Sequence, residues 1–491
     1  MATALKDDEN TAYLEESKAL FLEWASANTV SLVDGKEDDA DALEKAISSV
    51  LREDVRVVAL TEGCHNSKET MQLHHRLVCH LVEYHNFTTI VTESGLPESK
   101  LVHDYILGEI DEDEASFASS SVVSKEEMYQ KGLNRMYSEW EEGRALIEWM
   151  RDYNRNMTTR STSNNGSNDK INRQSSSLLH YYGVDIGGFY NDWKTPLNEI
   201  LSYIKRNVFT PDKAFRILKL VKQFQPFLDA MEENARLQYT NHMTPQNRSK
   251  LAMLFDETLE IFQTMESDFV QTSGRTAYEW ARQSLLSMQL AENYYRNYME
   301  RTQPNVKSNA SGKGTSVVCK SVGLNGREIA MHQNILWVLQ QRPDSKVIWI
   351  NHAVHTKTET QYQGDLWGFF TPTGAMLRES LGGKGLFAIG LVYGGGQYWK
   401  DWQKGPEKRS VASVPAPAVD GLEATLLSLA TEKTKSFFVP WMEAPVGAWP
   451  WLQSISCIRE NDYYLKIKPW EWQACLYINE TSPATPARGE D

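Results

Sequence analysis

Cysteine is scarce. The chain has 491 residues and five cysteines, Cys64, Cys79, Cys319, Cys457 and Cys475, odd in number and without Cys-x-x-Cys spacing. That pattern excludes a disulfide framework and a zinc knuckle, and it predicts a reducing, cytoplasmic compartment. Long apolar runs are missing too: none approaches the roughly 18 residues of a membrane span. The first residues carry Asp7, Asp8, Glu9, Glu15 and Glu16 and no apolar stretch, so no secretory signal is expected there. Positive charge is also short. Lys plus Arg total 51 against 65 Asp plus Glu, a net charge of −14, the wrong sign for a nucleic-acid or membrane-surface binder. The familiar catalytic signatures are absent as well: there is no G-x-S-x-G elbow, H-E-x-x-H, Walker A or G-x-G-x-x-G. No 20–50-residue repeat is present. A small-molecule substrate is the partner class left.

What is present suffices for a large core: 41% of residues are hydrophobic and 11% aromatic. After two N-terminal helices within 12–52, the apolar runs Val55–Leu60 and Thr88–Glu93 read as buried strands around a helix, Lys68–Tyr84, giving a right-handed βαβ unit. Glu126–Tyr153 reads as helical. The Ser/Asn/Thr-rich run 156–177 reads as a loop, and Leu178–Asp185 as a third strand. From about 195 to 302 the apolar spacing is helical, predicting three or four helices. Pro304–Leu324 reads as a loop, Arg327–Leu339 as a helix, and Lys346–Asn351, Gly385–Tyr393 and Ser436–Val439 as strands flanking a helix at Ala424–Ala430. The glycine run Gly394–Gly396 reads as a flexible loop, and the aromatic remainder as irregular. The predicted class is therefore α/β: a mostly parallel sheet flanked by helices, with a helical insertion subdomain roofing the site. The expected divisions are 1–190, 191–305 and 306–491.

Polar residues gather where these strands end, which is the ligand-binding edge of a parallel sheet. Glu62 and His65 follow the first strand, Glu93 the second and Asp185 the third, while His352 and His355 follow a later one. A neutral imidazole can take a proton from water near pH 7. A neighbouring carboxylate fixes its tautomer, and a second histidine or an arginine steadies an oxyanion. His74 and Arg76 lie on the following helix, within reach of the same edge. Two histidines and two glutamates also suit a divalent metal, but His352 and His355 share a strand end rather than a helix face, so no metal ligand is assigned. Cys64 adjoins His65, and adjacent residues of a turn point apart, which argues against a Cys–His nucleophile. Tyr393, Tyr398, Trp399, Trp402, Trp441 and Trp451 either line an apolar cleft or pack the core.

Several ordered stretches resemble the erythromycin esterase family. They include Leu60-Thr-Glu-Gly-Cys-His-Asn-Ser-Lys-Glu69, Ile90-Val-Thr-Glu-Ser-Gly95, Glu148-Trp-Met-Arg-Asp-Tyr-Asn154, Tyr182-Gly-Val-Asp185, Arg327-Glu-Ile-Ala-Met-His-Gln-Asn334, His352-Ala-Val-His355 and Gly374-Ala-Met-Leu-Arg-Glu-Ser-Leu-Gly382. The resemblance spans roughly 50–440. It implies that Glu62 and His65 are the essential Glu and general-base His, that Glu93 is a catalytic-site Glu and that His352 is the essential later His. It also implies that His355 is the second His of the HNxH motif, with a functional Arg falling at His74 or Arg76. Two departures stand out. The glycines flanking the family's GEATHGT segment are lost, and the Asn of HNxH is Ala353. The loop around His65 should therefore differ in shape, and substrate choice with it.

The resulting expectation is a hydrolase of an ester or lactone, using His65-activated water without cofactor, metal or acyl-enzyme. Two alternatives use the same residues. One is a biosynthetic cyclase or acyl-transfer enzyme in which His65 deprotonates a substrate hydroxyl or amine. The other is a non-enzymatic haem- or metal-binding protein held through His65, His352 or His355.

Overall fold

The computed structural model describes residues 7–32, 37–63, 65–110, 124–163, 177–188, 193–207, 211–229, 239, 243–302, 316–362, 369–400, 406–431, 435–460, 463–466 and 468–487. Nine strands form the principal sheet: β1 (Val30–Ser31), β2 (Val57–Glu62), β3 (Phe87–Gly95), β4 (His180–Asp185), β5 (Lys346–His352), β6 (Leu386–Lys400), β7 (Ser410–Ser413), β8 (Ser436–Val439) and β9 (Ala474–Thr481). Their order is β1-β8-β9-β6-β2-β5-β3-β4, with β7 paired to β6. From β9 to β4 every pairing is parallel, while β1, β7 and β8 join antiparallel.

The central strands are buried along nearly their whole length, because both faces are covered. Side chains alternate between two clusters along each strand, as the period of two demands. Val58, Leu60, Ile90, Tyr181, Ile348 and Ile350 enter one cluster. Val57, Ala59, Val91, Tyr182, Val347 and Trp349 enter the other. Helix α1 (Lys68–His85) connects β2 to β3; its N-terminal Ser67 accepts from Thr70 N–H, and Asn86 closes it in the left-handed region at φ +60°.

The mixed α/β class and the mostly parallel sheet are as the sequence predicts, but several local readings change. Helix α2 (Glu141–Ser163) runs into the stretch read as a loop, and 164–176 lie outside the described residues. Helix α3 (Ser316–Gln341) starts well before Arg327, inside another predicted loop, and 303–315 lie outside the described residues. The glycine run is no loop: β6 continues through it, with Gly395 and Gly396 registered against Glu480 and Thr481 of β9. β9 itself lies in the tail read as irregular. The helical run between β4 and α3 packs its own cluster, including Trp193, Phe224, Phe255 and Tyr295. Its helix α4 (Arg275–Thr302) meets the sheet edge, where Ser287 Oγ donates to Asp185 O.

One irregularity aims a site residue. Between Thr92 and Gly95 the β3–β4 register shifts, so β3 carries an extra residue around Glu93. The bulge presses on Gly183, where a Cβ would stand 2.4 Å from the carbonyl oxygens of Ser94 and Gly95. Gly183→Ala is therefore expected to cost about 1–3 kcal/mol in denaturant unfolding, the range for overpacking a core.

Candidate active site

The sheet order puts β2, β5, β3 and β4 side by side, so Glu62, His352, Glu93 and Asp185 end adjacent parallel strands. Glu62 and His352 are direct register partners. Just beyond β2 the chain turns, and Asn66 takes φ +59°, a left-handed conformation that asparagine tolerates. That turn lays His65 back over the strand end. His65 Nδ1 donates to Glu62 Oε1 at 2.7 Å, which leaves the lone pair of the neutral ring on Nε2.

The His352 ring stands with its centroid 4.7 Å from that of His65. Its Nδ1 accepts from Val354 N–H at 3.3 Å, so in the neutral ring the proton is on Nε2. The two imidazoles thus hold opposite tautomers, with a lone pair on His65 Nε2 and a proton on the buried His352 Nε2. The sequence-predicted pair, 65 and 352, is brought together.

Behind them lies a buried charge network. Arg327, on α3, grips Asp185 through Nε at 2.9 Å to each carboxylate oxygen and through Nη2 at 2.6 Å. The same Nη2 donates to Glu93 Oε2 at 3.0 Å. Glu93 Oε1 accepts from the backbone N–H of His352, so this carboxylate fixes the end of β5. Burial alone would push Glu93 up, but His355, Arg327, His65 and His352 outweigh it and bring its pKa down to about 2. The ionised form of Glu93 is thus favoured here, and its carboxylate anchors the end of β5. For Asp185 burial dominates and raises the pKa despite Arg327.

His355 Nδ1 donates to Glu328 Oε1 at 2.7 Å, and its Nε2 lies 3.2 Å from Arg327 Nη1 and 3.7 Å from Glu93 Oε2. The neutral ring accepts from the guanidinium, and the charged ring faces Glu93. Burial favours the neutral form, but Glu328 and Glu93 prevail and raise the pKa. Glu328 is held low against burial by His355 and Arg327, and its Oε2 accepts from Thr373 N–H and Oγ.

The remaining predicted residues divide. His74 is buried beneath the turn, where its Nε2 donates to Thr61 O at 3.3 Å, and burial lowers its pKa. Arg76 Nη1 donates instead to Leu32 O at 3.1 Å, next to β1. Cys64 and Trp402 lie outside the described residues. Tyr393, Tyr398, Trp441 and Trp451 are core residues, and Trp399 stacks on Trp140. Among the described residues no group of three or more His, Cys, Asp or Glu is arranged to hold a metal ion.

Sequence reasoning assigned no role to Arg327, Glu328 or Asn134. Asn134 Nδ2 donates to Glu93 O at 2.8 Å, and its N–H donates to Ser94 Oγ at 2.9 Å. The signal for the first two was the Arg-Glu-Ile-Ala-Met-His-Gln-Asn stretch itself, which carries both residues on one helical turn.

A family model described as erythromycin esterase matches residues 82–463. The chain belongs to the erythromycin esterase family. Glu93, Asp185, Arg327, His352 and His355 fall inside the matched span, and the Glu62–His65 pair precedes it. The chain is 25% identical over 362 residues to the erythromycin esterase type II of Escherichia coli, an alignment covering 71% of this chain and 70% of that protein. Solved structures share the fold at 16% identity. A Bacillus cereus protein has a TM-score of 0.69, with 96% of this chain and 99% of that chain covered. A succinoglycan biosynthesis protein has 0.64, with 95% and 98% covered. An EreC erythromycin esterase mutant in its open conformation has 0.62, with 90% and 95% covered. Membership in the erythromycin esterase family places the chain, at family level, among ester hydrolases. No helix of the described residues is long and apolar enough to cross a membrane.

Two outcomes follow from the charge network. Arg327→Met strands the buried Asp185 and Glu93 carboxylates and should cost about 3–5 kcal/mol in urea unfolding, the range for breaking a buried pair. The pH profile of stability should fall on both sides. Glu93, depressed in the folded state, stabilises above the ordinary carboxyl pKa, and this is lost as pH drops from about 4.5 toward 2. His355, raised in the folded state, stabilises below about 6.5, and this is lost as pH rises through its folded pKa. Asp185 opposes the acid limb. Thermal melts across pH should show Glu328→Gln flattening the alkaline limb.

Proposed function

We propose that the protein hydrolyses an ester or lactone bond in a small molecule by direct attack of water. The observation that carries this reading is the Glu62–His65 hydrogen bond of 2.7 Å with the His352 ring 4.7 Å away. His65 Nε2 takes a proton from water as the oxygen attacks the carbonyl carbon. Glu62 holds the Nδ1 proton and stabilises the imidazolium that forms. His352 Nε2–H donates to the oxyanion of the tetrahedral intermediate. The imidazolium then returns its proton to the departing alkoxide, giving acid and alcohol. Glu93 and Arg327 hold the end of β5, and so the donor, in place. His355 stands one turn behind His352 as part of that support. The 19% exposure of the His65 side chain against 3% for Glu62 supports water reaching the ring rather than the carboxylate.

The name of the Escherichia coli relative supports a lactone or other ester as the bond class. The lost glycines around His65 support a different substrate from the macrolide of that name. No step uses a covalent intermediate, because the proposed nucleophile is water.

Erythromycin and p-nitrophenyl esters, assayed in 18O-labelled water, test the reading. The expected result is one solvent oxygen in the product acid, no burst phase, and a fall in turnover of about 10²–10⁴ in His65→Ala. Full turnover by that variant overturns the assignment. Product without solvent oxygen points to ring closure or acyl transfer instead.

A further inference from the structure

The segment that follows β9 makes a set of contacts that the chemistry above does not use. Residues Ser482–Ala487 run between two pieces of chain. On one side is the turn after His65. Ser482 O accepts from Lys68 N–H at 2.9 Å, and Ala484 N–H donates to Asn66 O at 2.9 Å. Pro483 bridges Ser67 in antiparallel fashion. The Glu69 carboxylate takes both the N–H and the hydroxyl of Ser482. On the other side is the start of α2. Thr485 donates through N–H and Oγ to Glu142 at 3.0 and 2.7 Å. Thr485 O accepts from Glu141 N–H, and Ala487 N–H donates to Glu139 O, each at 2.9 Å. Pro486 bridges Trp140.

These two pieces carry opposite halves of the site. Asn66–Glu69 is the left-handed turn and helix start that set where His65 lies. The piece ending in Glu142 begins at Asn134, whose side chain is bonded to Glu93 O and whose N–H is bonded to Ser94 Oγ. The two prolines within the segment limit its backbone freedom, which suits a spacer of fixed length. A segment needed only to cover the core would have no reason to place two carboxylates, Glu69 and Glu142, on its backbone at either end.

We propose that Ser482–Ala487 is a positioning strap that sets the distance between His65 and the Glu93–His352 wall of the site. The proposal rests on the reading of His65 as the base, but its test reads no turnover. Glu142 is the informative position, since its contact with Thr485 is on the outer side, away from the His65 turn. In Glu142→Ala, hydrogen exchange should quicken about tenfold at the Lys68 and Ala484 amides, the local-opening response of a loosened element. The His65 ring signal of 13C-histidine-labelled protein, assigned with His65→Asn, should move. Glu142→Gln, which still accepts from Thr485, should restore both. Thr485→Val removes only the hydroxyl contact and should shift the same signals less, which covers the case in which Glu142→Ala folds poorly. Changes confined to 139–146 and 485–487, with the His65 signal unmoved, overturn the strap. Such a result leaves the hydrolase reading intact, and that reading fails separately if His65→Ala keeps its activity.

Discussion

One guanidinium organises the floor of the site. Glu93, Asp185 and Glu328 are all buried, and the positive charge of Arg327 favours the ionised form of each. Three buried carboxylates without that cation would each face a desolvation cost of several kcal/mol. The geometry also explains the residue type. Arg327 uses Nε, Nη1 and Nη2 on three different partners, Asp185, His355 and Glu93, a spread that the planar fork of arginine spans and that lysine would have to reach from one nitrogen. Through Glu93 this cation reaches the backbone of His352, so the end of β5 is set by electrostatics two hydrogen bonds removed from it.

The sequence exposed the reactive edge more readily than its support. Glu62, His65, Glu93, Asp185 and His352 stand directly after apolar runs, and a parallel sheet can place such polar residues only at its carboxyl edge. Arg327 and Glu328 sit on a helix, where charged pairs are ordinary, and nothing in their spacing marks them as part of the site. The misread strands fail for a physical reason. Gly394–Gly396 has no side chains to signal a strand, and only pairing with β9 makes it one. Ala474–Thr481 is a short apolar run set in tryptophan-rich chain, and its partner β6 lies too far back in sequence for local pattern to reveal the pairing. The helix beginning at Ser316 carries Ser, Gly, Asn and Lys, a loop-like composition that its packing against α4 overrides.

Family membership and local departure are both visible at the site. Asp185, Arg327 and the two later histidines form one connected network. Ala353, where the resembling motif has asparagine, is completely buried within the second hydrophobic cluster. An apolar residue there offers no hydrogen-bonding side chain beside the histidines.

The position of β5 bears on biogenesis. This strand belongs between β2 and β3, yet the ribosome delivers it only after β4 and the entire helical run. Until it arrives, two central strands have no shared neighbour and their inner backbone groups lack partners, the kind of open edge on which nascent chains aggregate. Insertion of a late strand into the middle of a sheet is a highly non-local event and a slow one. The same event delivers His352 to His65, so the two rings do not meet until the sheet is closed, and an incompletely synthesised chain lacks the assembled site.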